Sequence, residues 1–163
     1  TIYTGAKFTR LYFKDCYIDG TTDFIFGPST ALFEDCIIHS KRNSYVTAAS
    51  TPKEAKYGYV FKHCKLTAEP GVDKVYLGRP WRPYAYTLFI ECELGKHIVL
   101  AGWHNWGKQS NEETARYMEY KNTGEGANAS ERVAWSKQLT KKEAETVTVD
   151  AIFRTQSDWN PID

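Results

Sequence analysis

Phe13-Lys-Asp-Cys16-Tyr-Ile18 recurs as Phe33-Glu-Asp-Cys36-Ile-Ile38, Phe61-Lys-His-Cys64-Lys-Leu66 and Phe89-Ile-Glu-Cys92-Glu-Leu94. All four cysteines share one frame, Phe-x-x-Cys-x-[Ile/Leu], spaced 20, 28 and 28 residues apart. A repeat at such a period marks a solenoid or an array. Each unit is short, rich in β-branched and aromatic residues, and followed by turn formers such as Asp19-Gly20 or Glu69-Pro70-Gly71, so it reads as a strand. Residues two apart in a strand share a face, and each Cys points inward with the Ile or Leu after it. One strand per repeat, always with that inward pair, describes coils stacked like upon like. A thiol suits such a ladder, because it stacks at a strand spacing of about 4.8 Å without overpacking. The expected fold class is all-β, a solenoid of parallel strands.

Outward from that frame, long loops are expected to break the coils at 40–58 and 67–86. The repeat is expected to stop near 103. A polar Gly/Asn-rich stretch runs from Asn122 to Ser130, and Thr140-Lys-Lys-Glu143 matches a capping box, the signature of a helix start. The chain therefore reads as a single domain over 1–163, with coils over about 1–102. Its loop/helix region, about 103–163, is expected to cap the solenoid's open C-terminal end. An even number of cysteines raises the question of disulfides. In-register parallel strands rarely offer the side-chain dihedral that a disulfide needs, which favours free buried thiols. Metal-ligand C-x-x-C spacing is missing, and no metal or cofactor is expected.

Composition narrows the partners. The 163 residues carry a net charge of +1 with 25% charged residues, so bulk electrostatics points to neither nucleic acid nor membrane. No run approaches the roughly 18 apolar residues of a membrane span. The chain opens on Thr-Ile-Tyr, so a missing signal peptide carries no weight. Five Trp and eleven Tyr bring the aromatic content to 15%, several of them beside Gly, Pro and Arg. Sugar-binding clefts share this pattern, since the apolar faces of a pyranose stack on flat side chains; buried core aromatics raise the count as well.

Asp23 lies in Gly20-Thr-Thr-Asp23-Phe-Ile-Phe26-Gly27, an acid in an apolar strand where an unpaired charge is costly. Its natural partner is Arg79 in Leu77-Gly-Arg79-Pro-Trp81, whose backbone Pro80 restricts to an extended form. An Arg fork would hold the carboxylate bidentately, fix its rotamer and balance its charge. An immobilised carboxylate serves as a nucleophile or general base. A structural ion pair stapling two coils is the alternative reading of the same residues.

Asp23-Phe-Ile-Phe-Gly27 and Leu77-Gly-Arg-Pro-Trp81 resemble the two signature motifs of the pectin methylesterase (pectinesterase) family, in order and at a compatible separation. Gly102-Trp103-His-Asn-Trp106, Tyr120-Lys-Asn-Thr-Gly-Glu-Gly126 and Trp159-Asn-Pro161 resemble its later segments. The resemblance runs along essentially the whole chain and implies a right-handed parallel β-helix. It also implies cleavage of methyl esters from polygalacturonate outside the cell, hence a secreted or periplasmic protein. Asp23 would be the nucleophile and Arg79 its orienting partner. Trp81 and Phe26 would line the sugar cleft. Tyr3 and Tyr84 could serve there or as packing residues, and Trp103 could stand on the cleft rim or seat the cap.

The resemblance also implies a second aspartate, within a Gln-Asp-Thr-[Leu/Ile]-Tyr motif on the coil before Asp23, that protonates methanol and activates water. Thr1-Ile2-Tyr3-Thr-Gly5 is similar to the residues just after Gln-Asp in that motif. The expectation is therefore a β-helix truncated at its N-terminal end and largely inactive alone, with self-association through an exposed first coil. A non-catalytic, polygalacturonate-binding β-helix fragment is the alternative. A Ser-His-Asp hydrolase is disfavoured because no Gly-x-Ser-x-Gly elbow occurs. A pectate lyase or polygalacturonase would use clustered Asp, and Asp15, Asp19, Glu34 and Asp35 are spread through the repeats. Asn128-Ala-Ser130 is a sequon too short to carry weight.

Overall fold

The structure, a computed structural model, describes residues 1–154 and 158–162. The first coil holds β1 (Ile2–Tyr3), β2 (Arg10–Lys14) and β3 (Tyr17–Gly20). The second holds β4 (Ile25–Gly27), β5 (Thr30–Glu34) and β6 (Ile37–Ser40). The third holds β7 (Tyr45–Ala49), β8 (Tyr59–Lys62) and β9 (Lys65–Ala68), and the fourth β10 (Tyr76–Gly78), β11 (Tyr86–Ile90) and β12 (Glu93–Leu94). Helix α1 (Ser110–Thr114), strands β13 (Arg116–Tyr120) and β14 (Lys137–Gln138), and helices α2 (Lys141–Glu145) and α3 (Val149–Phe153) come next. Like strands stack into three parallel sheets, ordered β1-β4-β7-β10, β14-β13-β11-β8-β5-β2 and β12-β9-β6-β3. This is a parallel β-helix.

The repeated frame proves to be a corner rather than one strand. In every coil the residue before Cys is left-handed, with φ of 53° at Asp15, 54° at Asp35, 54° at His63 and 50° at Glu91. Asp and His tolerate that conformation better than bulky residues do. The bend turns the chain from the six-stranded sheet into the sheet containing β3. Phe13, Phe33, Phe61 and Phe89 pair in register, and their rings stack at 4.8, 4.5 and 4.4 Å. Ile18, Ile38, Leu66 and Leu94 form the second inward ladder.

The four cysteines are free thiols. Cys36, Cys64 and Cys92 are buried at the corner and donate to the carbonyls of Phe13, Phe33 and Phe61 at 3.5, 3.3 and 3.5 Å. Reaction needs an accessible thiolate. A thiol-specific disulfide reagent is therefore expected to label at most Cys16 in the native protein, and all four cysteines after denaturation. Rapid native labelling of more than one thiol per chain would contradict this packing.

Three expectations need correction. The predicted loops 40–58 and 67–86 contain strands β7 and β10. Strand β10 is only three residues long, and Tyr45-Val-Thr-Ala-Ala49 and Tyr76-Leu-Gly78 carry small residues where a strand pattern expects large ones. Nor does the stacking stop at 103. Strand β13 continues the six-stranded sheet, placing Glu119 beside Phe89, and Lys121 repeats the left-handed corner at φ 47°. Asn122 then stands in the cysteine's place, its Oδ1 accepting the Cys92 N–H at 2.9 Å. The fifth coil swaps Phe for Glu and Cys for Asn, so a search for the apolar frame ends one coil early.

The third correction concerns only the helical end of the expected cap over 103–163, since Trp103, Val133 and Trp135 of that region do pack against the inner core. Leu32, Val60 and Leu88 alternate with the Phe ladder and face outward, so both faces of the six-stranded sheet are apolar and both need cover. Val147, Ile152 and Phe153 pack on that outer face, so α2 and α3 flank the helix rather than plug its end. Coverage near the end comes from earlier residues: Trp103 stacks on Tyr117 at 4.3 Å, and Trp135 lies 6.0 Å from Tyr117. The capping box at Thr140 and Glu143 is formed as expected.

Candidate active site

The outer face of the β1-β4-β7-β10 sheet carries the site. Tyr3 pairs with Phe26, and Phe26 with Ala48. Gly78 pairs with Thr47, which brings Arg79 level with Ala48. A Cβ on Gly78 would collide with Thr47 Oγ1, so glycine is what lets β10 lie close and present Arg79. The Arg79 and Trp81 N–H groups donate to the Thr47 and Ala49 carbonyls, both at 3.0 Å. Along this row, Tyr3 stacks on Phe26 at 4.9 Å, and Phe26 meets the edge of Trp81 at 5.9 Å.

Asp23 sits at the bend before β4 instead of within a strand. It takes the left-handed conformation, φ 48°, and its N–H donates to the Tyr45 carbonyl at 2.9 Å. Arg79 Nε–H and Nη2–H donate to Asp23 Oδ1 and Oδ2 at 3.0 and 2.6 Å. The fork fixes both oxygens of the carboxylate. On its two faces the guanidinium is sandwiched, its Cζ 3.9 Å from the Tyr45 ring centroid and 3.8 Å from that of Trp106. Such stacking suits the planar, weakly hydrated guanidinium and not an ammonium. About a fifth of each side chain stays exposed, 20% for Arg79 and 18% for Asp23. The pair is held rigidly, yet Asp23 still opens on a 210 Å³ cavity lined by Phe26, Trp81 and Trp106.

Trp81 divides this cavity from a larger groove of about 430 Å³, which Tyr3, Lys7, Arg82 and Tyr84 also line. Tyr84 carries Lys53 Nζ over its ring at 5.2 Å. Six of the seven sequence-predicted residues thus meet on one face: Asp23, Arg79, Phe26, Trp81, Tyr3 and Tyr84. Trp103 does not. It is 1% exposed, stacked on Tyr117 inside the coil. Trp106, three residues on, takes the cleft position instead. The signal was present, because Trp106 is the second tryptophan of Gly-Trp-x-x-Trp. Tyr45 was missed because it fell within a predicted loop.

His97 lies apart from the pair, 3% exposed, with no partner for Nε2 among the described residues. Burial, with a smaller contribution from His39, lowers its pKa from 6.5 to about 4. The unfolded chain takes up that proton first as pH falls. The stability of the neutral ring is therefore complete above pH 6.5 and declines toward pH 4. His97→Gln is expected to flatten that decline by about 1–3 kcal/mol, read from urea midpoints at pH 7 and pH 4.5. An unchanged pH slope would show that His97 is not the group responsible.

Comparison with known proteins bears on this geometry. The family model described as Pectinesterase matches residues 1–156. Pectinesterase 31 of Arabidopsis thaliana is 45% identical over 136 residues, 83% of this chain and 43% of that protein. Pectin methylesterase from carrot superposes with a TM-score of 0.84 at 33% identity, covering 93% of this chain and 53% of that one. A pectin methylesterase in complex with a hexasaccharide superposes with a TM-score of 0.77 at 28% identity, covering 93% and 52%. The chain spans less than half the length of the curated relatives it matches, and about half that of the solved structures.

Proposed function

The chain belongs to the pectinesterase family, and from that premise we propose that the full-length protein hydrolyses methyl esters on the galacturonate units of pectin. The observation that carries this reading is the Asp23–Arg79 fork, 3.0 and 2.6 Å, opening on an aromatic-lined cavity. In this reading Asp23 attacks the C6 carbonyl, the bond to the methoxy oxygen breaks, and the departing group takes a proton to leave as methanol. An anhydride joins Asp23 to the sugar. Water then adds to it, releasing galacturonate and restoring the Asp23 carboxylate. Arg79 keeps the attacking oxygen aimed throughout. Phe26, Trp81 and Tyr3 offer flat faces for the sugar rings, and the groove beyond Trp81 extends the contact along the polymer.

Among its described lining residues the cavity holds one carboxylate. The proton for methanol is therefore assigned, as the resemblance implies, to a second aspartate on the coil before that of Asp23, the coil that carries β1. Losing a general acid typically costs 10²–10⁴-fold, so the 163 residues alone would bind more than they turn over. That observation favours the binding-only reading for this piece. In isolation, the outer edges of β1, β2 and β3 would also invite self-association. Polymeric pectin lies outside the cell, which makes the protein secreted or periplasmic; no described helix is long and apolar enough to cross a membrane.

Methanol release from highly methylated pectin tests the proposal, with the 163 residues assayed beside a protein carrying the additional coils of the longer relatives. Turnover by the longer protein alone supports both statements. Equal turnover by both moves the proton donor inside these residues, and turnover by neither refutes the assignment.

A further inference from the structure

We propose that His104 is a positioning residue for the Asp23–Arg79 pair: as a neutral imidazole, it fixes the turn that presses Trp106 onto the guanidinium. The proposal rests on the esterase reading for its kinetic consequence, and on geometry for the rest. His104 enters this turn anchored, its N–H donating to the Gly78 carbonyl at 3.1 Å, one residue before Arg79. The Trp106 N–H donates to His104 Nδ1 at 3.0 Å, while the Gly107 N–H donates to Asn105 Oδ1 at 2.8 Å.

Trp106 needs such support, because it is left-handed at φ 62°, a conformation that bulky side chains avoid. The imidazole itself is wedged edge-on against Tyr45 at 5.4 Å and Tyr76 at 5.3 Å. Tyr45 is the other slice of the sandwich around Arg79. His104 thus touches one slice through its ring and holds the other through Nδ1.

Only a neutral ring can do this. With Nδ1 accepting, the proton lies on Nε2. A second proton, on Nδ1, would oppose the Trp106 N–H and add positive charge beside Arg79. The titratable and charged groups facing the ring are Tyr45, Tyr76 and Arg79. Burial first, and the Arg79 charge second, lower the His104 pKa from its ordinary 6.5. The neutral form therefore prevails at neutral pH, and the support is lost only as pH falls below that value. On this account the acid limb of activity contains a structural event, the loosening of Trp106, in addition to protonation of carboxylates.

Two substitutions separate the roles in the full-length protein. His104→Phe keeps a ring against Tyr45 and Tyr76 but offers no acceptor. His104→Asn restores an acceptor for the N–H two residues on, as in an Asx turn, and does not titrate. His104→Phe is expected to lower kcat by about 10- to 100-fold, the range for small misplacement of a reacting group, with KM and the melting temperature little changed. His104→Asn is expected to recover most of that loss and to shift the acid limb to lower pH. Wild-type kcat in His104→Phe, or an acid limb unmoved in His104→Asn, overturns the proposal.

Fluorescence keeps it independent of the esterase reading. The emission component that Trp106→Phe removes should change between pH 7 and pH 4.5 in the wild type and stay constant in His104→Asn. If methanol release is missing in every protein but this signal behaves as stated, the functional reading fails and the positioning role stands. A pH-independent Trp106 signal in the wild type refutes the role.

Discussion

Asp23→Asn in the full-length protein is expected to lower methanol release by at least about 10⁴-fold, the scale seen when a nucleophile is removed. An amide has nearly the same shape, and its oxygen can still accept one N–H from Arg79, so the sandwich of Tyr45, Arg79 and Trp106 should persist. What is lost is the second anionic oxygen and with it the attack on the ester. Circular dichroism of the aromatic bands is expected to be unchanged, and affinity for a methylated oligogalacturonate to fall less than threefold. Arg79→Lys should also lower kcat, by about 10²-fold, because an ammonium neither forks onto both oxygens nor stacks between two rings. Undiminished turnover in Asp23→Asn would remove Asp23 from the chemistry and leave the pair as the coil staple that residue types alone also allow.

Arg132→Leu carries the largest expected effect on stability. Glu119 replaces phenylalanine in the inward ladder, and both partners of its ion pair with Arg132 are 3% exposed. Arg132 Nε–H and Nη2–H donate to Glu119 at 2.9 and 3.2 Å, and the same guanidinium donates to the Val99, Leu100 and Gly126 carbonyls. Removing one partner of a buried pair typically costs 3–5 kcal/mol, since the other charge is left uncompensated. For a chain of this size that is a fall of roughly 6–20 °C in melting temperature. Replacing both, as Glu119→Phe with Arg132→Met, extends the phenylalanine stack and should recover most of the loss. Calorimetry of the two proteins decides it. A double variant as unstable as the single one would mean that the carbonyl contacts of Arg132 and the Asn122 and Gln138 hydrogen bonds to Glu119, not the charge balance, hold the last coil.

These residues also show how far the sequence could be read. The corner frame was visible because four coils repeat it with the same apolar types. The fifth coil was hidden by Glu119 and Asn122, which do the same geometric work with polar atoms. Asp23 and Arg79 were found as partners because an acid in an apolar stretch needs a counter-charge, and Arg79 lies in a motif, Leu-Gly-Arg-Pro-Trp, whose proline holds its backbone extended. Tyr45 and Trp106, which sandwich that arginine, carry no such chemical demand, and only the stacking of coils brings them together. Trp103 and Trp106 could not be told apart by type. Their opposite directions come from local backbone: Trp103 bridges to Gly78 and faces inward, while Trp106 and Gly107 are left-handed and turn the indole outward. Only the helical end of the tail was misplaced, because all of 103–163 was read as cover for the open end, whereas Val147, Ile152 and Phe153 cover Leu32, Val60 and Leu88.

Asp23 belongs to the second coil and Arg79 to the fourth, with Tyr45 of the third between them. Two strand spacings amount to roughly 9–10 Å, a gap that a long side chain such as arginine's bridges. The chemistry is therefore tied to a mechanical condition, three successive rungs pressed together at their closed spacing. Should the fourth coil part from the third by the width of one water layer, the fork would open while every bond around Asp23 stayed intact. If the proposed esterase activity holds, it would read the stack like a strain gauge, and heat, pull or a slipped rung would silence it before the strands themselves come undone.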